Sequence, residues 1–516
     1  MPLIASPSIR HLVLAACLGA ASVSAGIASA SDIYPQGLAI GDVRAHSAVV
    51  WTRAPLGGEV RLDVSATDGG DVAFSAVATA RPTNDHVLHW AVDSLAPATS
   101  YRVVLTAVGA PDGTLEGQFT TAPEPTADAL ATVLVGGDLG GQGYCRHVER
   151  GYLIFQAMLE READLFIANG DMIYADGLCP AEGPDGWRNV PGAFANVLDL
   201  DWSAEAPAGA ALSPVEEAIA AHWHYNRADA AHRAFLARTP MVAQWDDHEV
   251  INDFGFAWAS WPLDPERPGW RHLVEAGREA VFRYNPIEQS AGEARRIERS
   301  FRWGQHLELF VLDARTYRDP NSQLDGPDKA VLGAEQVAWL VDGLTASKAT
   351  WKLVSSNIPL ALATGSRADL WGRDGFANGL RDDFSRRTGG ERELLDLLAR
   401  LDAADVENLV VLATDVHHAM ILRTIRDFDG DGDVLRFHEV IVGPLNAGMA
   451  PAVASPDPTL GSVVLFGEAG VFNFGEVRLV RRGEGPPRLV AEVRGEDGQI
   501  RDGSTLELAP RPSADD

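Results

Sequence analysis

The chain has 516 residues, 46% hydrophobic and 22% charged, with a formal net charge of −29. That length holds two or three domains, and the composition is that of a globular protein with a large core. The acidic balance argues against nucleic acid or an anionic membrane as a main partner, since both attract Lys/Arg patches, and it makes hard-cation sites easy to build.

Residues 1–30 read as a signal peptide. Arg10 and His11 precede the small, apolar run LVLAACLGAASVSAGIA, and Ala28-Ser29-Ala30 forms a small-x-small cleavage site. There is no twin arginine, so general secretion to the periplasm or beyond is expected. Leu14-Ala15-Ala16-Cys17 offers an alternative, a lipid anchor at Cys17. No other run approaches the roughly 20 apolar residues of a membrane span. Signal removal leaves Cys145 and Cys179. One disulfide, two free thiols, or metal ligation by Cys145 are all open.

Residues 31–122 read as an all-β domain. HSAVVWTRA and EVRLDVSA alternate apolar and polar residues between Gly/Pro/Asp turns. Tyr101, just after a Leu-Ala-Pro turn, resembles the tyrosine corner of fibronectin or immunoglobulin-like sandwiches. Residues 123–129 form a Pro/Ala/Thr-rich linker.

Residues 130–510 change pattern. LATVLVGGD, YLIFQAMLEREA and DLFIANGD read as strand, helix and strand, the start of an α/β domain. Further buried strands are expected in TPMVAQWDD, LELFVLDA, WKLVSSNIP and NLVVLATD, with helices in EQVAWLVDGL and RELLDLLARLDA. Residues 175–235 read as a long insertion, including a helical stretch whose His222, His224 and His232 are expected to be exposed. DFDGDGDV (residues 427–434) reads as a solvated hairpin turn, although it carries alternate aspartates like part of a calcium loop.

Apolar strands repeatedly run into metal-capable residues: Asp138; Asp171 with Tyr174; Asp246, Asp247, His248 and Glu249 with Asn252 beyond; Asn357; and Asp415, His417 and His418. Ligands of open α/β sheets bind outside the carboxyl ends of the strands, so these side chains are expected in one crevice. Clustered carboxylates repel unless cations neutralise them, which implies a metal centre with Lewis-acid chemistry. His418 is expected to point away from the site. Asp246 reads as a ligand or as support for Asp247, and Asn252 and Glu249 as ligand, support or turn.

In their order, GDLG, GDMIY, WDDHE and TDVHH resemble the calcineurin-like metallophosphoesterase superfamily, and most of all its alkaline phosphatase D branch. The resemblance implies a four-layer α/β/β/α sandwich with an N-terminal β domain, and hydrolysis of phosphate monoesters and diesters by a metal-bound hydroxide. It implies metal ligation by Asp138, Asp171, Tyr174, Asp247, Asp415 and His417, with Asp171 bridging metals and His248 facing the phosphate. Asn357 and Cys145 are further candidates. Asp138 stands where many members of the branch carry a Cys, closer to purple acid phosphatases. Asp247 stands at the position of a superfamily Asn, and Asn357 where the superfamily often has a His.

Tyr174 as a phenolate ligand implies ferric iron, with a hard divalent cation such as calcium beside it. Phosphate-ester small molecules are the expected partners, and a monomer the expected state. The alternatives are a phospholipase-D-like diesterase, using FGFAWASWPL (residues 254–263) as an apolar access surface, and a non-enzymatic surface-binding protein.

Overall fold

The structure is a computed structural model that describes residues 30–109, 113–255, 267–289, 295–365, 368–380 and 387–511. The signal segment with Cys17, and residues 256–263 of the aromatic stretch, lie outside them. Among the described residues, no helix is long and apolar enough to cross a membrane.

The N-terminal region contributes seven strands: β1 (Leu38–Gly41), β2 (Ala48–Arg53), β3 (Gly58–Ala66), β4 (Val72–Ala80), β5 (Val87–Val92), β6 (Ser100–Ala107) and β7 (Thr114–Thr120). β4-β3-β6-β7 form a four-stranded antiparallel sheet. Its inward residues Leu62, Val64, Val103 and Leu105 pack on Leu38, Ile40, Val50 and Trp90 of β1, β2 and β5. The Tyr101 hydroxyl accepts the Ala96 N–H at 2.8 Å, the upstream backbone contact of a tyrosine corner.

The strands that follow are β8 (Thr132–Gly136), β9 (Leu165–Asn169), β10 (Met241–Gln244), β11 (Arg299–Trp303), β12 (Leu307–Val311), β13 (Trp351–Ser355), β14 (Leu409–Ala413), β15 (Ala419–Arg426), β16 (Leu435–Ile441), β17 (Val463–Glu468), β18 (Asn473–Val480), β19 (Arg488–Gly495) and β20 (Leu506–Leu508). They build a nine-stranded sheet, β20-β19-β18-β8-β9-β10-β1-β2-β5, and a seven-stranded sheet, β11-β12-β13-β14-β16-β15-β17. The N-terminal strands therefore extend the large sheet. β1 runs parallel to β10 through Gly41 and Met241, and the 123–129 segment does not divide that sheet.

The two large sheets pack face to face. Val133, Val135, Ile167 and Val242 meet Leu309, Leu353, Val410 and Leu412 between them. Alternate residues Leu134, Phe166 and Ala243 face outward to the helices Pro214–Arg227, Ala230–Leu236 and Trp270–Tyr284. On the far side, Val354, Val411 and Ala413 face Ala334–Ala346 and Glu391–Asp402. The layering is α/β/β/α. Strands apolar on both faces are the reason their sequences read as unbroken hydrophobic runs.

The insertion histidines correct the expectation of exposure. His222 and His232 are 4% and 2% exposed. His222 bonds the Ala218 and Gly177 carbonyls, and His232 bonds the Asn226 carbonyl and stacks on Phe155. His224 is partly buried against Asp85 at 2.5 Å.

Candidate metal centre

β8, β9, β10, β13 and β14 run mutually parallel within their sheets, so their carboxyl ends open at one rim. A polar seam stitches that rim across the two sheets. Gln244 Nε2 donates to the Leu312 and Ser355 carbonyls, Asn169 Nδ2 to the Ser356 carbonyl, and Thr414 Oγ1 to the Asn169 carbonyl. Beyond it the chain turns sharply. Asp138, Asp171, Asp415 and His417 all adopt positive φ, at 61°, 50°, 73° and 56°. Left-handed backbone at four non-glycine residues costs energy, and such strain gathers at functional sites. Gly170, at φ 89°, is needed here, because a Cβ would stand 2.5 Å from Asp246 Cβ.

Four overlapping groups of candidate ligand atoms result, each lying within 4.8 Å of one another: Asp138, Asp171 and His417; Asp171, Asp247 and His248; Asp246, Asp247 and Asp415; and Asp247, Asp253 and Asp374. Asp171 belongs to two of these groups and Asp247 to three. The structure thus brings together side chains from sequence positions 138 to 417.

Several ligand atoms are left without partners. Both oxygens of Asp138, Asp246 Oδ2, Asp247 Oδ1 and Asn357 Oδ1 are buried and make no hydrogen bond. Buried unpaired oxygens are costly. The opposite atoms of Asn357 and two of these carboxylates are already committed. Asp246 Oδ1 accepts Asn357 Nδ2 at 2.6 Å and Arg315 Nε at 2.5 Å, and Asp247 Oδ2 accepts the Asp253 N–H at 2.5 Å. An all-oxygen orphan set beside imidazole fits hard cations.

The electrostatics agree. Burial, then the neighbouring carboxylates, push Asp138, Asp171 and Asp415 well above the usual Asp range. Burial and adjacent Asp171 and Asp138 likewise push the Tyr174 phenol up. Without cations the site therefore favours protonated ligands.

His417 Nδ1 donates to the Gly448 carbonyl, which leaves Nε2 as the unprotonated nitrogen facing the site. Nε2 lies 2.9 Å from the Tyr174 hydroxyl and 3.6 Å from Asp138 Oδ1. Burial lowers the pKa of His417 to about 4, so the ring is neutral, as a metal ligand must be. His248 differs. Its Nδ1 bonds Asp176 Oδ1 at 2.7 Å. Burial opposes its charge, but Asp176 and Asp247 outweigh that and raise its pKa to about 10. An imidazolium held this way suits an anionic substrate better than a cation.

The remaining sequence candidates hold supporting places. Glu249 accepts the Asp171, Met172 and Asp246 N–H groups at 3.0, 2.8 and 2.8 Å, so it braces two ligand turns. The Asn252 N–H donates to Asp176 Oδ2 at 2.8 Å. His418 is buried and bonds Ala454 N at 3.2 Å, away from the ligand groups. Cys145 is joined to Cys179 across 34 residues, with Cα atoms 5.8 Å apart, and so offers no thiolate. Of the aromatic stretch behind the lipid reading, Phe254 is buried against Trp245 and Trp270.

Sequence reasoning missed Arg315, Asp374 and Asp176. Arg315 is fully buried and bonds both Asp246 and Asp374, and it lies 3.7 Å from Asp247. Its position directly after the LELFVLDA run, at the same rim, was the available signal.

Comparisons with known proteins bear on the family and the fold. The family described as PhoD-like phosphatase matches residues 139–465, and the PhoD-like phosphatase N-terminal domain matches residues 20–123. Alkaline phosphatase D of Bacillus subtilis (strain 168) is 26% identical over 447 residues, covering 81% of this chain and 70% of that protein. A solved structure of PhoD superposes with a TM-score of 0.67 at 20% identity, covering 93% of each chain. Purple acid phosphatase PPD1 from yellow lupin (Lupinus luteus) seeds gives 0.56 at 13% identity, covering 92% of this chain and 75% of the lupin chain. At these identities the structural likenesses speak for the fold.

Proposed function

The chain belongs to the PhoD-like phosphatase family and is a phosphoester hydrolase, and on that premise we propose an exported enzyme that cleaves phosphate monoesters and diesters at a paired-metal site. Ferric iron would be held by Asp138, Asp171, Tyr174 and His417. A hard divalent cation such as calcium would be held by Asp246, Asp247, Asp415 and Asn357, with Asp171 shared between the two. The observation that carries this reading is the set of buried, unbonded oxygens on Asp138, Asp246, Asp247 and Asn357. Bound cations would supply Lewis-acid polarisation of the phosphoryl group and lower the pKa of the attacking water.

The chain's own groups do the rest. Asp176 fixes the His248 ring through Nδ1, which leaves Nε2–H as the ring's other donor. From there His248 donates to the phosphoryl oxygens as negative charge develops, and to the leaving oxygen as its bond breaks. Glu249 holds the Asp171 and Asp246 turns at fixed separation. The Asp246–Arg315–Asp374 chain directs Asp246 and partly offsets the burial and carboxylate repulsion that oppose its ionisation.

The test is a hydrolysis panel on protein purified without chelator, using p-nitrophenyl phosphate, bis-p-nitrophenyl phosphate and phosphatidylcholine vesicles. Turnover of the two soluble esters supports the reading. Turnover confined to the vesicles would replace it with the lipid headgroup reading, and no turnover of any ester by metal-loaded protein would end it.

A further inference from the structure

A second pocket lies at the opposite end of the two-sheet sandwich. It measures about 310 Å³ and is entered beside the starts of β13 and β14. Trp351 and Leu409, the first residues of those strands, line it, whereas Asn357 and Asp415 follow their last residues. Five strand residues at ~3.3 Å each, plus the turn, set the two sites on the order of 20 Å apart.

The lining is cationic in a chain of net charge −29. Arg423, Arg436 and Arg511 line the pocket together with His438 and a single carboxylate, Glu407. Arg511 has an acidic neighbour, Glu407, at 3.7 Å. Among the described residues, Arg423 and Arg436 have no carboxylate partner. The Arg436 guanidinium donates only to the Val434 carbonyl at 3.4 Å.

Strand register makes this arrangement specific. Arg423 pairs with His438 across β15 and β16, and Ile425 pairs with Arg436, so the two arginines are diagonal neighbours on one face. That is the face whose Ile421 and Val440 pack between the sheets. The face changes from apolar to cationic where the opposing sheet ends at β20, whose Leu506 and Leu508 pack against the inter-sheet core. Like charges so placed cost stability unless an anion joins them. Burial and nearby Arg423 lower the His438 pKa to about 4, so it adds a hydrogen-bonding group without further charge.

We propose that this pocket binds a small organic phosphate or phosphonate, with the oxyanion between Arg423 and Arg436 and its apolar body against Trp351, Leu409 and Leu508. Guanidinium pairs suit such tetrahedral oxyanions because each offers two parallel N–H donors. The pocket is separate from the metal centre and does not depend on its metals.

Titration calorimetry of the metal-loaded protein with phenylphosphonate, which cannot be hydrolysed as an ester, tests this. We expect an event in wild type that the double variant Arg423→Ala/Arg436→Ala weakens at least tenfold, with turnover of p-nitrophenyl phosphate unchanged. Arg423→Lys/Arg436→Lys should weaken the same event less. If the alanine pair does not fold, Arg423→Gln alone gives the comparison. Identical isotherms for wild type and a folded arginine variant would overturn the proposal, whatever binds at the metal centre.

Discussion

The Tyr174 hydroxyl stands 2.9 Å from Nε2 of His417, 243 residues away in sequence, and that nitrogen is unprotonated because Nδ1 is spent on the Gly448 carbonyl. In the absence of a cation the phenol donates to the imidazole. A ferric ion between the same ligand groups would take both atoms, with the phenol as phenolate. Tyr174→Phe should therefore abolish a visible tyrosinate-to-iron absorption band while the fold persists. The lost hydrogen bond is worth about 0.5–1.5 kcal/mol, so the melting temperature should change by only a few degrees. Absorption spectroscopy and calorimetry of the two proteins check this.

Asp176 controls the charge on His248. Removing its negative charge takes away a main cause of the raised His248 pKa, about 10, so the value should fall. If the reaction needs the imidazolium, activity is lost as pH rises through that pKa. In Asp176→Asn the alkaline limb of the kcat profile should move to lower pH, and kcat should drop about 10²-fold, as for loss of a positioned proton donor. A profile with an unmoved alkaline limb would remove His248 from the chemistry.

The metal-free protein should weaken as pH rises. Asp246 and Glu249 are pushed up by burial, to about 6 and about 8, and Asp138, Asp171 and Asp415 are raised as well. For acids whose folded pKa exceeds the unfolded value, the stabilising contribution is complete below the unfolded carboxylate range near 4. It is lost as pH climbs through the folded values. Chelated protein should melt at least ~3 °C lower at pH 8.5 than at pH 5.5, equivalent to ~1 kcal/mol. Protein with cations bound should show a smaller drop, because the charged carboxylates are then paired.

Glu249 accepts three backbone N–H groups from two ligand turns. Glu249→Ala leaves those donors buried and unpaired, at roughly 1–3 kcal/mol each before relaxation. The variant should lose several kcal/mol of stability and bind less metal even where it folds. Denaturant melts and elemental content are the measurements. Unchanged stability would show that solvent replaces the carboxylate.

The strand-tip acids were legible because each ends an apolar run with both faces buried, as Val133–Val135 precede Asp138 and Leu409–Ala413 precede Asp415. A charged residue after such a run has few structural reasons to be there. Arg315 and Asp374 were not legible, since their pairing spans 59 residues and neither sits in a motif of its own. Nor was the β1–β10 pairing, where local alternation in β1 says nothing of a partner 200 residues onward. His222 and His232 misled because polar residues on a helix suggest solvent, whereas here backbone carbonyls satisfy the rings inside the core. Glu249 was undecided because a carboxylate three residues after Asp246 suits ligand and backbone brace alike.

The central claim is a paired-metal phosphoesterase site bridged by Asp171. Its most direct test is elemental analysis of wild type and Asp171→Asn, purified without chelator, alongside hydrolysis of p-nitrophenyl phosphate. The account predicts one iron and one divalent cation per wild-type chain, with metal content and turnover falling together in the variant. A variant with full metal content and full turnover, or a metal-free wild type that hydrolyses the ester at full rate, would contradict it.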